Sequence, residues 1–311
     1  MPLRIVPDDT HIPFMSQSRL CAMLSFAAMV ASIILFFTVG LNLGIDFKGG
    51  TLLELRSKAE VADIADIRSK VGSLGYGDVE VTSFGEPNEV LIRIEAQEEG
   101  AEAQGQIVST VLQALGPDQY ENRRVEFVGP RVAGELAVKG TIAVIVALIG
   151  VLFYIWFRFE WQFAVGAIGS LVHDVILTIG FFSVTQIDFN LSSLAAILTI
   201  VGYSLNDTVV VYDRVREMLR KFKQMAIPEL VDISINQMLS RTLLTSLTTI
   251  IALAALFLFG GEIIRSFTAA MIWGVVIGTY SSIYIASPVL IYFNLRPGAT
   301  QTAEVAQSSG A

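Results

Sequence analysis

Six long apolar stretches restrict this chain more than any other feature of its sequence. They cover about 20–41, 140–157, 162–184, 189–211, 242–259 and 266–293, and each has the length of a helix crossing a hydrocarbon layer roughly 30 Å thick. Backbone polar groups find no water there, so such runs must satisfy their hydrogen bonds internally, as helices do. Only 16% of the residues are charged and 53% are hydrophobic, against about 25% charged in a soluble domain. The expected fold class is therefore an α-helical polytopic membrane protein with six transmembrane helices embedded in a lipid bilayer. A net charge of −8 argues against nucleic acid as a partner. No Gly-x-x-x-x-Gly-Lys-Ser/Thr run is present, so nothing points to nucleotide hydrolysis.

Charge placement sets the expected topology. Residues 1–18 carry Pro2, Pro7 and Pro13 and read as a cytoplasmic lead. The first span, 19–42, is longer than a signal-peptide core and lacks a small-x-small cleavage site, so it reads as an uncleaved anchor. Arg4 and Arg19 precede its apolar run from Leu20, and Arg214, Arg216, Arg220, Lys221, Lys223 and Arg241 cluster between the fourth and fifth spans. Basic residues in short joints stay inside, which puts both termini and a basic loop over 213–240 in the cytoplasm. Within that loop, Pro228–Leu239 reads as a separate interfacial amphipathic helix. The tail over 296–311 is small, polar and expected to be disordered.

Between the first two spans, 43–139 turns soluble. Alternation marks strands at 51–56, 79–84, 90–94 and 124–128, with helical spacing over 61–74 and 104–115 and a turn over Gly85–Glu89. The order β-α-β-β-α-β is that of a small α+β ferredoxin-like domain, expected on the extracytoplasmic side. A five-helix bundle over 140–295 follows.

Chemistry concentrates where charge interrupts hydrocarbon. Asp207 sits beside Asn206 in the fourth span, where a carboxylate costs several kcal/mol unless paired, hydrated or protonated. Arg241 lies 34 residues on, and the midpoint falls in the basic joint, so an antiparallel hairpin sets the two at similar depth. Thr199, Tyr203 and Asn206/Asp207 share helical spacing, as do Arg241, Thr245 and Thr248/Thr249, suggesting one inward polar face. Burial favours the neutral acid and a nearby guanidinium favours the carboxylate, so such a pair is a tunable proton site with Arg241 as a movable counter-charge. The alternative is a static clamp between two helices. His173-Asp174 in the third span reads either as a second relay station or as a buried contact that orients its helix. Asp213 and Arg214 either close the cytoplasmic side of a proton path or form the solvated end of the fourth helix. Ala270, Gly274, Gly278 and Ser282 recur every four residues as a packing seam. One His and one Asp with only His11 besides do not make a metal site, and no cofactor other than protons is expected.

These elements carry a family likeness. Gly44-Ile-Asp-Phe-Lys-Gly-Gly50, Val128-Gly-Pro130, His173-Asp174, Val201-Gly-Tyr-Ser-Leu-Asn-Asp-Thr208 and Arg241-Thr-Leu-Leu-Thr-Ser246 resemble the SecD/SecF family of bacterial protein-export subunits, on its SecF side. The resemblance runs from about Gly44 to Tyr292. It implies a six-span partner, SecD, in a complex similar to resistance-nodulation-division transporters. It also implies residence in the bacterial cytoplasmic membrane and use of the proton gradient to help preproteins through the SecYEG channel, with Asp207 and Arg241 as the proton-handling pair. On that reading the chain does transport work and is not an enzyme. The rival functions are half of a proton-coupled exporter of small molecules or lipids, and a purely structural subunit.

Overall fold

The computed structural model describes residues 10–95, 101–261, 264–293 and 295; the first part of the lead and the tail over 296–311 lie outside them. Among the described residues, six helices are long and apolar enough to cross a membrane. In chain order they are α1 (Phe14–Thr38), α5 (Pro130–Arg158), α6 (Trp161–Thr185), α7 (Leu191–Lys221), α8 (Ile227–Phe259) and α9 (Arg265–Ser281). The last continues through a π-helical turn, Ser282–Ala286, and a short terminal stretch to Tyr292.

The domain between α1 and α5 holds a short helix α2 (Ile45–Lys48), strands β1 (Gly50–Ser57), β2 (Val79–Phe84), β3 (Glu86–Ile94) and β4 (Tyr120–Val128), and helices α3 (Ile64–Gly72) and α4 (Ala101–Leu115). The strands form one antiparallel sheet in the order β2-β3-β1-β4. With α3 and α4 as crossovers this is the ferredoxin-like arrangement. Leu53, Leu55, Val81 and Ile92 on the sheet meet Ile67, Val71 and Val111 on the helices to form its core. The turn between β2 and β3 is tighter than the sequence suggests. Gly85 takes φ of 69°, and Glu86 already pairs with Phe84. Glycine adopts that conformation without the Cβ penalty, so residues 86–89 extend the strand.

Three helix boundaries correct the sequence reading. First, α1 begins at Phe14, because Phe14 and Met15 pack into the core beside Leu230 and Val231. Met15 N–H donates to Asp232, and Ile12 exchanges bonds with Asn236. Second, α5 begins at Pro130 directly after β4, with Gly129 at the cap. Proline at the first helical position is pre-set for a helix, so the span and the domain join without a linker.

The third correction concerns the basic loop over 213–240. Only residues 222–226 connect α7 to α8, and the stretch read as a separate amphipathic helix is the first half of α8. Hydropathy ends at Asp213, but helix propensity does not: Arg, Glu, Met and Leu are good helix formers. Val215 and Met218 on one arm and Leu230, Ile235 and Leu239 on the other remain buried, so packing carries both helices past the apolar segments.

Domain and bundle are stitched at the α6–α7 joint. Gly44 N–H donates to Phe189 O at 2.8 Å, and Phe189 N–H donates to Asn42 O at 2.7 Å. Asp46 accepts from Leu191 N–H at 2.9 Å, satisfying one of the open donors at the start of α7. Asn190 caps the same helix, bonding reciprocally with Ser193. Arg93 on β3, only 8% exposed, bonds Glu80 at 2.8 Å and Asp188 at 2.9 Å. Asp188 in turn accepts from Asn42.

Candidate functional site

Asp207 lies on the face of α7 that packs against α9. Small residues on α9 bring the two helices together: a side chain on Gly274 would collide with Ile200, and one on Gly278 would stand 3.0 Å from Ser204 Cβ. Ala270 is fully buried on the same seam. Ser282 ends the seam and does more than pack. Its hydroxyl donates to Asp207 Oδ2 at 3.1 Å, while Thr242 Oγ1 of α8 donates to Oδ1 at 3.0 Å. Asp207 is 6% exposed, Thr242 2% and Ser282 fully buried. The carboxyl thus sits in a buried, three-helix site whose only direct partners among the described residues are two neutral hydroxyls.

Arg241 does not join it. The guanidinium is exposed and forms no ion pair with Asp207, although its charge acts on the acid. The expected inward stripe splits by the same geometry. Tyr203 and Asp207 turn into the bundle, whereas Thr199, Asn206, Arg241, Thr245 and Thr248 are exposed. Helical repeat is about 100° per residue, so neighbours such as Asn206 and Asp207, or Arg241 and Thr242, cannot share one face. On α8 it is Thr242 that faces Asp207, one position beyond the arginine. Thr245 returns its hydroxyl to Thr242 O at 2.9 Å, and Tyr203 Oη reaches Ser246 at 3.4 Å.

A second acid is more deeply buried. Asp174 on α6 is fully enclosed; His173 Nδ1 lies 2.8 Å from its Oδ1, and Ser281 Oγ donates to its Oδ2 at 2.7 Å. Ser204 of α7 donates to the same oxygen, and Ser170 donates to Ser281. His173 Nε2 is buried without a hydrogen-bond partner, and its ring stacks on Tyr280 with centroids 6.1 Å apart. At the far end of α7, Asp213 meets Arg158 at 3.4 Å and Arg216 at 3.9 Å, and Arg214 bonds Gln237 and Glu217. These groups form a partly exposed ion-pair cluster.

The serine and threonine partners were not singled out in the sequence as carboxyl ligands. Most hydroxyls in these helices return to their own backbone, as Thr199, Thr248 and Thr249 do. Only the helix packing shows which ones reach an acid.

Comparison with known proteins assigns the architecture. A family model described as protein export membrane protein SecD/SecF, C-terminal, matches residues 107–296, and one for the SecD/SecF GG motif matches residues 34–61. The chain belongs to the SecD/SecF family. Within it the likeness is to SecF. The protein translocase subunit SecF of Rickettsia bellii (strain OSU 85-389) is 43% identical, covering 94% of this chain and 96% of the relative. That of Rhodobacter capsulatus is also 43% identical, covering 94% and 92%. The protein translocase subunit SecDF of Brucella abortus is 45% identical over 98% of this chain but only 41% of its own length. The crystal structure of SecDF, a translocon-associated membrane protein from Thermus thermophilus, superposes with a TM-score of 0.83 at 34% identity, over 94% of this chain and 39% of that one. The chain thus spans about two fifths of fused SecDF proteins and nearly the whole of separate SecF subunits. As a SecD/SecF family member of the SecF type it is a membrane protein of the protein-translocase machinery.

Proposed function

We propose that this chain is the SecF-type half of a proton-driven translocation motor. It would work with SecD and use the proton-motive force to help preproteins leave the SecYEG channel on the extracytoplasmic side. The observation that carries the reading is Asp207, buried between three helices with neutral hydroxyls as its only direct partners among the described residues. An ionised carboxylate there is poorly compensated and a protonated one is well accommodated, so the site is poised to take and release a proton. Arg241 acts as the counter-charge: from its exposed position a rotation of α8 or a shift of its side chain alters how strongly it favours the carboxylate. One charge crossing the membrane is worth about 2.3 kcal/mol per 100 mV, the scale of energy such a cycle would draw upon.

SecD fits the surface left open. Asn206 and Arg241 are exposed on neighbouring helices within the apolar region and make no hydrogen bond or ion pair within the described part of the chain. A polar partner helix would satisfy them where lipid would not, and the SecDF relative extends well beyond the part this chain matches, which is 41% of its length. Basic residues around the α7–α8 joint favour a cytoplasmic position for it, with both termini inside and the ferredoxin-like domain outside.

The test is export into membrane vesicles carrying the complex, with and without a proton gradient. Asp207→Asn keeps the shape and removes the titration. It is expected to assemble with SecD and lose gradient-dependent stimulation at least tenfold. Unchanged stimulation refutes the proton role. Arg241→Lys should retain part of the activity if only charge matters and lose it if the guanidinium fork is required.

A further inference from the structure

We infer that His173 and Asp174 form a second proton-binding site, coupled to Asp207 through the adjacent serines Ser281 and Ser282. This rests on the proton role proposed for Asp207, and it adds a site on a different helix.

The geometry begins with two buried acids on neighbouring helices, Asp174 on α6 and Asp207 on α7. Each accepts a hydrogen bond from one member of the same dipeptide on α9, Ser281 at 2.7 Å and Ser282 at 3.1 Å. A serine hydroxyl has one proton to give, and each of these has a second acceptor in reach. Ser281 Oγ lies 3.2 Å from Gly278 O, and Ser282 Oγ lies 3.0 Å from Thr279 O. A charged carboxylate draws the hydroxyl proton to itself; a neutral acid competes less well and releases it to the helix's own carbonyl. Each serine is therefore a two-position switch that reports the protonation of one acid.

The two switches share one peptide unit at the point where α9 becomes the π-helical turn Ser282–Ala286. A turn of this kind departs from the regular bonding ladder. Here Ser287 Oγ donates to Ser282 O at 2.7 Å and Tyr212 Oη to Ala286 O at 2.9 Å. The two serines therefore act on acids from adjacent positions of one backbone segment. Ser204, three residues before Asp207 on α7, donates to Asp174 and adds a second link between the acids.

His173 supplies the place for the proton. With Asp174 ionised, Nδ1 must hold the hydrogen of the 2.8 Å bond, which leaves a lone pair on Nε2, the buried atom without a partner. A proton arriving at Nε2 produces an imidazolium beside a carboxylate, so the pair's net charge goes from −1 to zero while the Nδ1–H bond is kept. The titratable groups around the pair are Asp207 on α7, Tyr280 on α9, and Cys21 on α1, whose carbonyl accepts from Tyr280 at 3.1 Å.

The chain has two histidines, so a decisive measurement is simple. In the complete chain with its SecD partner in lipid bilayers, ¹⁵N-histidine labelling on a His11→Gln background leaves His173 as this chain's only imidazole, the SecD subunit being supplied unlabelled. Its ¹⁵N shifts are followed from about pH 5 to 8. Nε2 is expected to go from unprotonated to protonated as the pH falls. Asp207→Asn should move the midpoint, because an amide does not change its protonation and Ser282 loses its switching partner. Replacing both Ser281 and Ser282 with Ala should shrink that shift to less than half. A His173 that does not titrate on the His11→Gln background overturns the proposal with every residue of the site unchanged. So does a midpoint indifferent to Asp207→Asn. Proton flux measured on the same vesicles separates the two ideas: flux lost in Asp207→Asn with no coupling leaves the function standing and removes this site. Flux retained with coupling present does the reverse.

Discussion

At Asp207 the chemistry depends on which hydroxyls reach it. Thr242→Val keeps the shape of the threonine and removes its donor; Ser282→Ala removes the other. Each leaves a buried carboxyl oxygen short of a partner, a loss of about 1–3 kcal/mol. The expected outcome is a bundle that melts earlier by an amount in that range, and a complex whose export stimulation falls several-fold. The check is thermal unfolding of the purified complex beside vesicle export. Thr245→Val is the control, since the Thr245 hydroxyl donates to the Thr242 carbonyl and not to the acid, and it should change either readout little. Equal effects from Thr242→Val and Thr245→Val would mean that the Asp207 contact is not what matters. The acid was legible in the sequence because a carboxylate in an apolar helix is rare and expensive. Its partners were not, because a membrane helix hides its hydroxyls against its own carbonyls and only a few look outward. The depth match of Arg241 to Asp207 was a sound estimate of height that said nothing of azimuth: one residue of rotation exchanged the arginine for Thr242.

Among the elements, α9 shows how a repeat of small residues becomes a site. The four-residue spacing from Ala270 to Ser282 reads as a seam, and Gly274 meets Ile200 so closely that no β-carbon fits unless Ile200 moves. Gly274→Val should force α9 away from α7, costing about 1–3 kcal/mol in packing, and should also carry Ser281 and Ser282 away from both acids. Gly150→Ala on α5, where nothing lies within 4 Å, is expected to be neutral. Comparing melting temperature and SecD co-purification for the two variants tests the seam, and a neutral Gly274→Val would disprove it. The six spans were legible from length and hydropathy alone. The extents of α5, α7 and α8 were not, since these helices run on in polar sequence held by buried residues such as Val215 and Leu239. The ferredoxin-like order was readable because its strands alternate and its helices are amphipathic, each signalling locally. The hairpin at Gly85 is shorter than its five turn-type residues indicate, because a single glycine with positive φ turns the chain.

For the whole molecule, the question is how the outer domain and the membrane bundle are held in register. α7 is a continuous helix from Leu191 to Lys221, and Asp207 lies 16 residues along it, about 24 Å at 1.5 Å per residue. Its first turn is fastened to the domain by Asp46, and the residues before it by Gly44 and Arg93. A displacement of the domain therefore acts on the end of the helix that carries the acid. Arg93 is the strongest single fastening, with two carboxylate partners and almost no exposure. Arg93→Met keeps much of the aliphatic stem and removes both ion pairs. Losing one partner of a buried pair costs about 3 kcal/mol or more, somewhat less here because Asp188 is half-buried. The expected result is a domain that stays folded, since the Arg93 partners lie outside its hydrophobic core, but separates more readily from the bundle. Hydrogen exchange should rise at least tenfold at residues 42–49 and 188–193 and remain unchanged at Leu53 and Ile67. Arg123→Met on the exposed side of β4 should leave both regions as they are. If exchange at the joint is the same in Arg93→Met as in wild type, backbone pairing through Gly44 and Phe189 suffices to hold the domain. In that case Arg93 would act on the field around Asp188 and not as a fastening. Faster exchange at the joint together with weaker export stimulation would instead make the α6–α7 joint the place where domain motion meets the acid on α7.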